Sequence, residues 1–231
     1  MMPAGLCSLG HVRVGASQEH VDYVLPFAYS ERYQRRSGIQ VSVTVGPHEL
    51  IVPAAARGKL DFVIAEAAVI EHGRLEHEIL YDGCVFVVAG LDHPLAERGE
   101  LTLADLVGYE WVVPAGATER QLHRIFEKRA LPAPEVRLRA SSSLLRDGAL
   151  QQSSFLGVHC VPTFLLRAEP SRHLALLDVK DLVWKSRVLA AYKSAASLSR
   201  AARGLLEHLK VLAIATADHE ARAPDVLEHC R

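Results

Sequence analysis

Alternating and helical hydrophobic patterns follow one another along the first third of the chain. Residues 39–45 alternate apolar and polar side chains, the pattern of a half-buried strand. Between residues 19 and 37 the apolar positions fall at helical spacing, with Ser17 as a candidate N-cap and Gly38 as a candidate C-terminal glycine. A further strand is predicted at 12–16, before this helix. Another is predicted at 60–65, after a second helix that runs from His48 to Arg57. This order predicts a largely parallel sheet with right-handed crossovers.

The second part of the chain repeats the same kind of pattern. Strands are predicted at 84–89, 110–113, 136–140, 157–162 and 186–192, and helices at 101–106, after Thr118, at 144–152 and at 198–212. Thr118 and Gln121 have the spacing of a capping box.

The predicted fold class is α/β, with two Rossmann-like α/β lobes joined by two crossover strands. Lobe I is predicted to comprise residues 11–88 plus 189–212, and lobe II residues 89–188. Residues 213–231 form a tail without a strong pattern.

Composition excludes several classes of function. The net charge of −1 and the scattered basic residues give no face for nucleic acid. No apolar stretch reaches the eighteen or so residues that a membrane-spanning helix needs, so no membrane association is predicted. The first residues lack the basic and apolar regions of a secretion signal, and we therefore expect a cytoplasmic protein.

The sequence also lacks the usual constellations of catalysis. It contains no Gly-x-Ser-x-Gly elbow and no phosphate-binding glycine loop, and its histidines do not have metal-ligand spacing. We therefore predict no catalytic residue, no metal site and no cofactor, and hence not an enzyme.

A set of short motifs in a fixed order carries a family resemblance. The motifs are Val12-Arg-Val-Gly15, Gly58 to Glu66, His93-Pro-Leu-Ala96, Leu101-Thr-Leu-Ala-Asp-Leu106 and Gly157 to Pro162. Together they resemble the effector-binding domain of LysR-type transcriptional regulators along most of residues 12–212. In the last motif His159 stands where the family commonly has a second glycine.

The resemblance implies a periplasmic-binding-protein-like fold of type 2 and a sensor for a small molecule. Ligand bound in the cleft between the lobes would shift their orientation and so control transcription. The resemblance also implies a homodimer, or a tetramer at full length. The family's winged helix-turn-helix is not in this sequence, so we expect no DNA binding by this chain alone. Pro53 interrupts a helix that in the family contributes to the dimer.

Candidate effector contacts lie where strands end and helices begin, because ligands of open α/β sheets bind beyond the carboxyl ends of the strands. They are Ser17, Gln18, His48 and Glu66 in the first lobe, and Gly116, Thr118, Ser141, Ser142 and Ser143 in the second. Several have a purely structural alternative: Ser17 and Thr118 as helix caps, the three serines as a strand–helix junction, and His48 as a solvated turn residue.

The effector class stays open at this point. Residues 111–120 resemble the subgroup that regulates aromatic-acid and sugar metabolism, so an organic acid, an aromatic acid or a sugar is expected. Glu66 would repel an anion but would accept hydrogen bonds from a sugar or pair with an amine. The alternative function is a solute-binding protein of the periplasmic type, and a third is an enzyme on the same plan, such as a deaminase or dehydratase.

Overall fold

The computed structural model describes residues 10–29, 38–70, 75–162, 173–182 and 184–217. These residues form two compact units. Unit one consists of the residues up to 81 and those from 187 to 217, and unit two of residues 82–186. The chain passes between the units twice, each time inside a strand.

The strands are β1 (His11–Ala16), β2 (Gln40–Val45), β3 (Phe62–Glu66), β4 (Glu76–Gly90), β5 (Glu110–Val113), β6 (Glu135–Arg139), β7 (Leu156–Pro162), β8 (Leu174–Leu177) and β9 (Trp184–Tyr192). The helices are α1 (Gln18–Tyr23), α2 (Leu25–Ala28), α3 (His48–Ala56), α4 (Ala117–Lys128), α5 (Ser143–Gln151) and α6 (Arg200–Ala217). Short 3-10 turns occur at Ala67–Val69, Leu103–Leu106 and Ala195–Ser197.

Unit one is built around β1, which pairs in parallel with β2 on one side and β3 on the other. β9 adds to β3 in the antiparallel direction. Helix α3 buries Ile51 and Ala55 against this sheet, where they join Val63 in the core. Because β1, β2 and β3 run the same way, their carboxyl ends share one edge, and the segments after them begin side by side.

The Gly58 to Glu66 motif fixes the entry into β3. Gly58 has φ +72° and ends α3, with its N–H donating to the carbonyl of Ala55 at 2.8 Å, as in a glycine-terminated helix. Asp61 accepts from the backbone N–H of Arg13 at 2.7 Å and from its guanidinium at 2.8 Å. Gly15 leaves room for Leu60, since a Cβ there would lie 2.6 Å from the Leu60 side chain.

Unit two contains the antiparallel pairs β4–β7 and β4–β8 and the parallel pairs β5–β6 and β5–β7. Its core is centred on Trp111 of β5, which meets Phe126 of α4 edge to face with ring centroids 6.1 Å apart. The adjacent strands β5 and β6 end at the same edge, and α4 and α5 begin just beyond them.

Two of the three family motifs in unit two have structural roles. The ring of His93 accepts from the N–H of Leu95 at 3.1 Å, lies 3.2 Å from the carbonyl of Ser154, and contacts Tyr109. Burial lowers the pKa of His93, so the ring is neutral at pH 7 and fixes the turn after β4. In Leu101–Leu106, Thr102 and Asp105 form a reciprocal capping box.

The structure differs from the sequence prediction in a few elements. The helix predicted at 19–37 breaks after Tyr23 and restarts at Leu25, because Pro26 lacks the N–H that an uninterrupted helix needs. Its predicted end at 30–37, and residues 218–231 of the predicted tail, lie outside the described residues. Strand β8 was not predicted, and β4 begins eight residues before the predicted strand at 84–89. No helix among the described residues is long and apolar enough to cross a membrane.

Candidate functional site

A group of polar side chains gathers at the carboxyl edge of the unit-one sheet. Glu66 is the last residue of β3, and His48 is the first residue of α3, which follows β2. The Nε2 of His48 lies 3.0 Å from Oε2 of Glu66, so its N–H donates to the carboxylate. Two residues predicted from separate parts of the sequence therefore form one contact.

His20 of α1 belongs to the same group, although the sequence did not point to it. Its ring is only 3% exposed, and its Nε2 faces Oε1 of Glu66 at 3.9 Å, beyond hydrogen-bond distance. On the other side, its Nδ1 is 2.9 Å from the hydroxyl of Tyr81 in β4. We refer to His20, His48, Glu66 and Tyr81 as the unit-one cluster.

The unit-one cluster keeps Glu66 charged. Burial alone would raise the pKa of its carboxyl, but the hydrogen bond from His48 and the interactions with both imidazoles outweigh burial and hold the pKa at about 2. Burial lowers the pKa of His20, more than the nearby Glu66 raises it, so this ring is neutral at pH 7. The cluster therefore holds an anionic carboxylate beside a neutral imidazole.

Ser17 and Gln18 precede this cluster along the chain, directly after β1. Ser17 occupies the N-cap position of α1, as predicted, but its side chain makes no capping hydrogen bond. Its Oγ is instead buried without a hydrogen-bond partner among the described residues. The amide of Gln18 donates to Asp22 at 2.8 Å within the same helix.

In unit two, Gly116 and Thr118 lie at the start of α4. Gly116 is the N-cap residue, with φ +103°, a conformation that side chains other than glycine's rarely adopt. Thr118 lies in the first turn and is half-buried, so the capping box predicted from Thr118 and Gln121 is wrong. The start of α4 is instead set by the backbone conformation of Gly116.

The three serines form the β6–α5 junction. The Oγ of Ser142 accepts from the N–H of Leu145 at 3.3 Å and caps α5. Arg146, 2% exposed, donates to the carbonyls of Ala140 at 2.9 Å and Ser141 at 3.2 Å. Ser141 and Ser142 are exposed, whereas Ser143 is half-buried.

Two polar groups of α5 also went unnoticed in the sequence. Arg146 donates hydrogen bonds to backbone carbonyls of the serine junction. Asp147 lies 2.9 Å from the Nε2 of His159. His159, at the position where the family commonly has glycine, is 4% exposed and lies on β7 beside α5. The only signal in the sequence was this departure from the family motif.

The arrangement is suited to binding by hydrogen bonds rather than to holding a metal. Within the described ranges, no three or more histidine, cysteine, aspartate or glutamate side chains are placed to hold a metal ion. Among the described residues of unit one, the buried Oγ of Ser17 and Nε2 of His20 lack a hydrogen-bond partner, and the His20 nitrogen faces the charged Glu66. Buried polar atoms of this kind need a partner, and a ligand is one source of it.

Comparison with known proteins gives the family. Residues 8–213 match the LysR substrate binding domain. A CysB regulator from Burkholderia cenocepacia is 25% identical over 87% of this chain and 64% of its own length. A RuBisCO operon regulator from Allochromatium vinosum is 26% identical over 87% of this chain and 66% of its own. The chain thus spans less than two thirds of the length of these curated relatives.

Solved structures agree in fold. The regulatory domain of CcmR from Synechocystis, in complex with 2-PG, superposes with a TM-score of 0.70 at 23% identity, over 88% of this chain and 97% of that one. The cofactor-binding domain of the Cbl regulator gives a TM-score of 0.73 at 18% identity, over 87% and 88%. The fold is therefore the periplasmic-binding-protein-like fold of type 2, as predicted. Since the family match covers most of the sequence, this chain belongs to the LysR substrate-binding domain family.

Proposed function

We propose that this chain is the sensor part of a LysR-type transcriptional regulator and that it binds its effector at the strand ends described above. The observation that carries the proposal is in unit one. There the charged Glu66 lies 3.9 Å from the buried Nε2 of His20, and both this nitrogen and the Oγ of Ser17, just after β1, lack a hydrogen-bond partner among the described residues. Ligands of this class of fold bind beyond the carboxyl ends of strands, which is where these atoms lie.

Unit two has its own strand edge with polar groups. Helices α4 and α5 begin at Gly116 and Ser142, and their first N–H groups carry partial positive charge. We propose effector contacts at each of these edges: Ser17, Gln18, His48 and Glu66 in unit one, and Gly116, Thr118 and Ser141 to Ser143 in unit two. An organic acid, an aromatic acid or a sugar fits this combination of donors and one carboxylate.

The wider function follows from the family. We propose that the effector is bound and not chemically changed, and that it alters transcription through the DNA-binding part of a cytoplasmic regulator. We further propose a homodimer, with a tetramer for the full-length protein. The family match supports a regulator over a periplasmic solute-binding protein. The division into lobe I and lobe II at residues 88 and 189 stays a prediction.

A thermal-shift screen of the purified chain against aromatic acids, aliphatic acids and sugars tests the proposal. An effector at a hundred times its dissociation constant adds about 2.7 kcal/mol to stability, which raises Tm by roughly 5–10 °C for a domain of this size. The response should be saturable and confined to one chemical class.

Two variants make the screen specific to the site. Glu66→Gln should weaken or abolish the shift, because it removes the charged acceptor from the unit-one cluster. Glu49→Gln removes the same charge from an exposed residue next to His48 and should leave the shift unchanged. An equal response in both variants, or none from the wild-type chain, would contradict an effector site at this edge.

A further inference from the structure

The distance between the facing side-chain atoms of His20 and Glu66 allows one hydrogen-bonding atom to bridge them. Nε2 of His20 and Oε1 of Glu66 are 3.9 Å apart. They are too far apart to bond directly, but an oxygen atom placed about 2.8 Å from each would bond to both. The other atoms of the pair are already engaged, because Oε2 contacts His48 and Nδ1 contacts the hydroxyl of Tyr81.

The hydrogen on His20 can be placed by electrostatics. A neutral imidazole carries its proton on one nitrogen, and a bare nitrogen lone pair facing the Glu66 carboxylate would be repelled. We therefore assign the proton to Nε2, with the Tyr81 hydroxyl donating to Nδ1. The gap is thus lined by one N–H donor and one carboxylate acceptor.

Few chemical groups satisfy both atoms at once. The bridging group must accept a hydrogen bond from Nε2–H and donate one to Oε1. A hydroxyl does both, whereas a carboxylate has no proton to donate and an ammonium has no lone pair to accept with. On this basis, and resting on the proposed effector site, we propose that the effector places a hydroxyl group between His20 and Glu66.

Ser17 extends the same argument along the edge. In the parallel pairing of β1 and β3, Ala16 lies opposite Ile64, so Ser17 is placed near the end of β3 that carries Glu66. Ser17 is also one turn before His20 in α1, on the same side of the helix. Its buried Oγ has no partner among the described residues and can both donate and accept. We infer that the effector carries, besides that hydroxyl, a second polar group within reach of Ser17.

Two matched pairs of probes test this inference by isothermal titration calorimetry on the purified chain. Quinate and cyclohexanecarboxylate are both anionic rings, and myo-inositol and cyclohexanol are both neutral rings; within each pair only the hydroxyl groups differ. We expect the member with more hydroxyl groups, in at least one pair, to bind about ten- to a hundredfold more tightly. This is the size expected for a hydrogen bond to a charged group.

Two variants test whether the preference for hydroxylated probes arises at His20 and Glu66. Glu66→Gln keeps the side-chain volume but removes the charged acceptor, and His20→Phe removes the donor. Either change should bring the affinity ratio of the preferred pair close to one, while Glu49→Gln retains it. If His20→Phe proves too unstable to titrate, the ratio in Glu66→Gln and in the wild-type chain still decides the question.

The possible outcomes separate the two proposals. Equal binding of the two members in every pair that binds, or a hydroxyl preference unchanged in Glu66→Gln, would overturn the hydroxyl inference and leave the effector site standing. No binding by any of the four probes, together with no response in the thermal-shift screen, would overturn the effector site and the inference with it.

Discussion

At the residue scale, the side chains of the family motifs and those of the candidate site have separate tasks. Asp61 joins the start of β3 to Arg13 of β1, and Gly15 admits Leu60 to the core. Glu66, the last residue of the same motif, instead faces the histidines of the unit-one cluster. The motif therefore fixes the strand, and its final residue contributes the carboxylate of the unit-one cluster.

The depressed pKa of Glu66 makes a prediction about acid stability. A carboxyl with a folded pKa of about 2 stabilises the native state above its ordinary pKa near 4.5, and this contribution is lost as the pH falls toward 2. At 1.36 kcal/mol per pKa unit it amounts to about 3 kcal/mol. Urea unfolding of wild type and Glu66→Gln from pH 6 to pH 2 should show their stability difference shrinking by about this amount. A difference that stays constant with pH would contradict the assignment.

Gly15 and Gly204 give opposite predictions for the same substitution in the same unit. Alanine at Gly15 would place its Cβ 2.6 Å from Leu60, so Gly15→Ala should lose about 1–3 kcal/mol through overpacking. Gly204 lies inside α6 with open space around it, and Gly204→Ala should gain about 0.5–1 kcal/mol. Chemical denaturation of the two variants measures both, and a loss at Gly204 or a gain at Gly15 would be inconsistent with this packing.

At the element scale, hydrophobic periodicity predicted the strands well because it depends only on neighbouring residues. Strand β5 was predicted at its observed bounds, and β2 within one residue. The predictions failed where the bounds or the existence of an element depend on a single residue or on a tertiary contact. Pro26 splits the first helix, and the start of α4 is set by the backbone of Gly116 and not by a side chain. Strand β8 is short and forms only through its pairing with β4.

The two helix starts of unit two lead to a prediction about capping. Ser142→Ala removes the hydroxyl that accepts from Leu145 and should cost about 1 kcal/mol. Thr118→Ala removes a hydroxyl that makes no capping bond and should change stability by less than about 0.5 kcal/mol. Equilibrium unfolding of the two variants, without ligand, makes the comparison. Equal losses would mean that Thr118 does support the start of α4.

At the scale of the whole molecule, chain order was enough to predict part of the site. Ser17, His48 and Glu66 were proposed because each lies at or just after the carboxyl end of a strand, and these ends share one edge. His20 and Tyr81 were not, since one lies inside a helix and the other inside a strand, and only the folded chain brings them together. Sequence reasoning therefore located the edge but not the hydrogen bonds that decide its chemistry.

The proposed homodimer gives the last prediction. Helix α3 runs from His48 to Ala56 with Pro53 inside it, and the N–H of Arg57 donates to the Pro53 carbonyl at 3.1 Å, so the helix on which we place the proposed dimer contact is unbroken. Its Leu50 is 66% exposed. Burial of a leucine contributes about 1.5 kcal/mol or more, and a two-fold interface buries it twice. Leu50→Glu should therefore raise the dimer dissociation constant at least about a hundredfold.

Sedimentation velocity over a range of concentrations measures this shift. Leu91→Glu is the matched control, because Leu91 is 57% exposed but lies in the turn after β4, away from α3 along the chain. The control should sediment as wild type does, and both variants should keep the wild-type Tm at concentrations where all are monomeric. A wild-type chain that remains monomeric at high concentration would contradict the dimer, whereas a dimer unaffected by Leu50→Glu would place its interface on another surface.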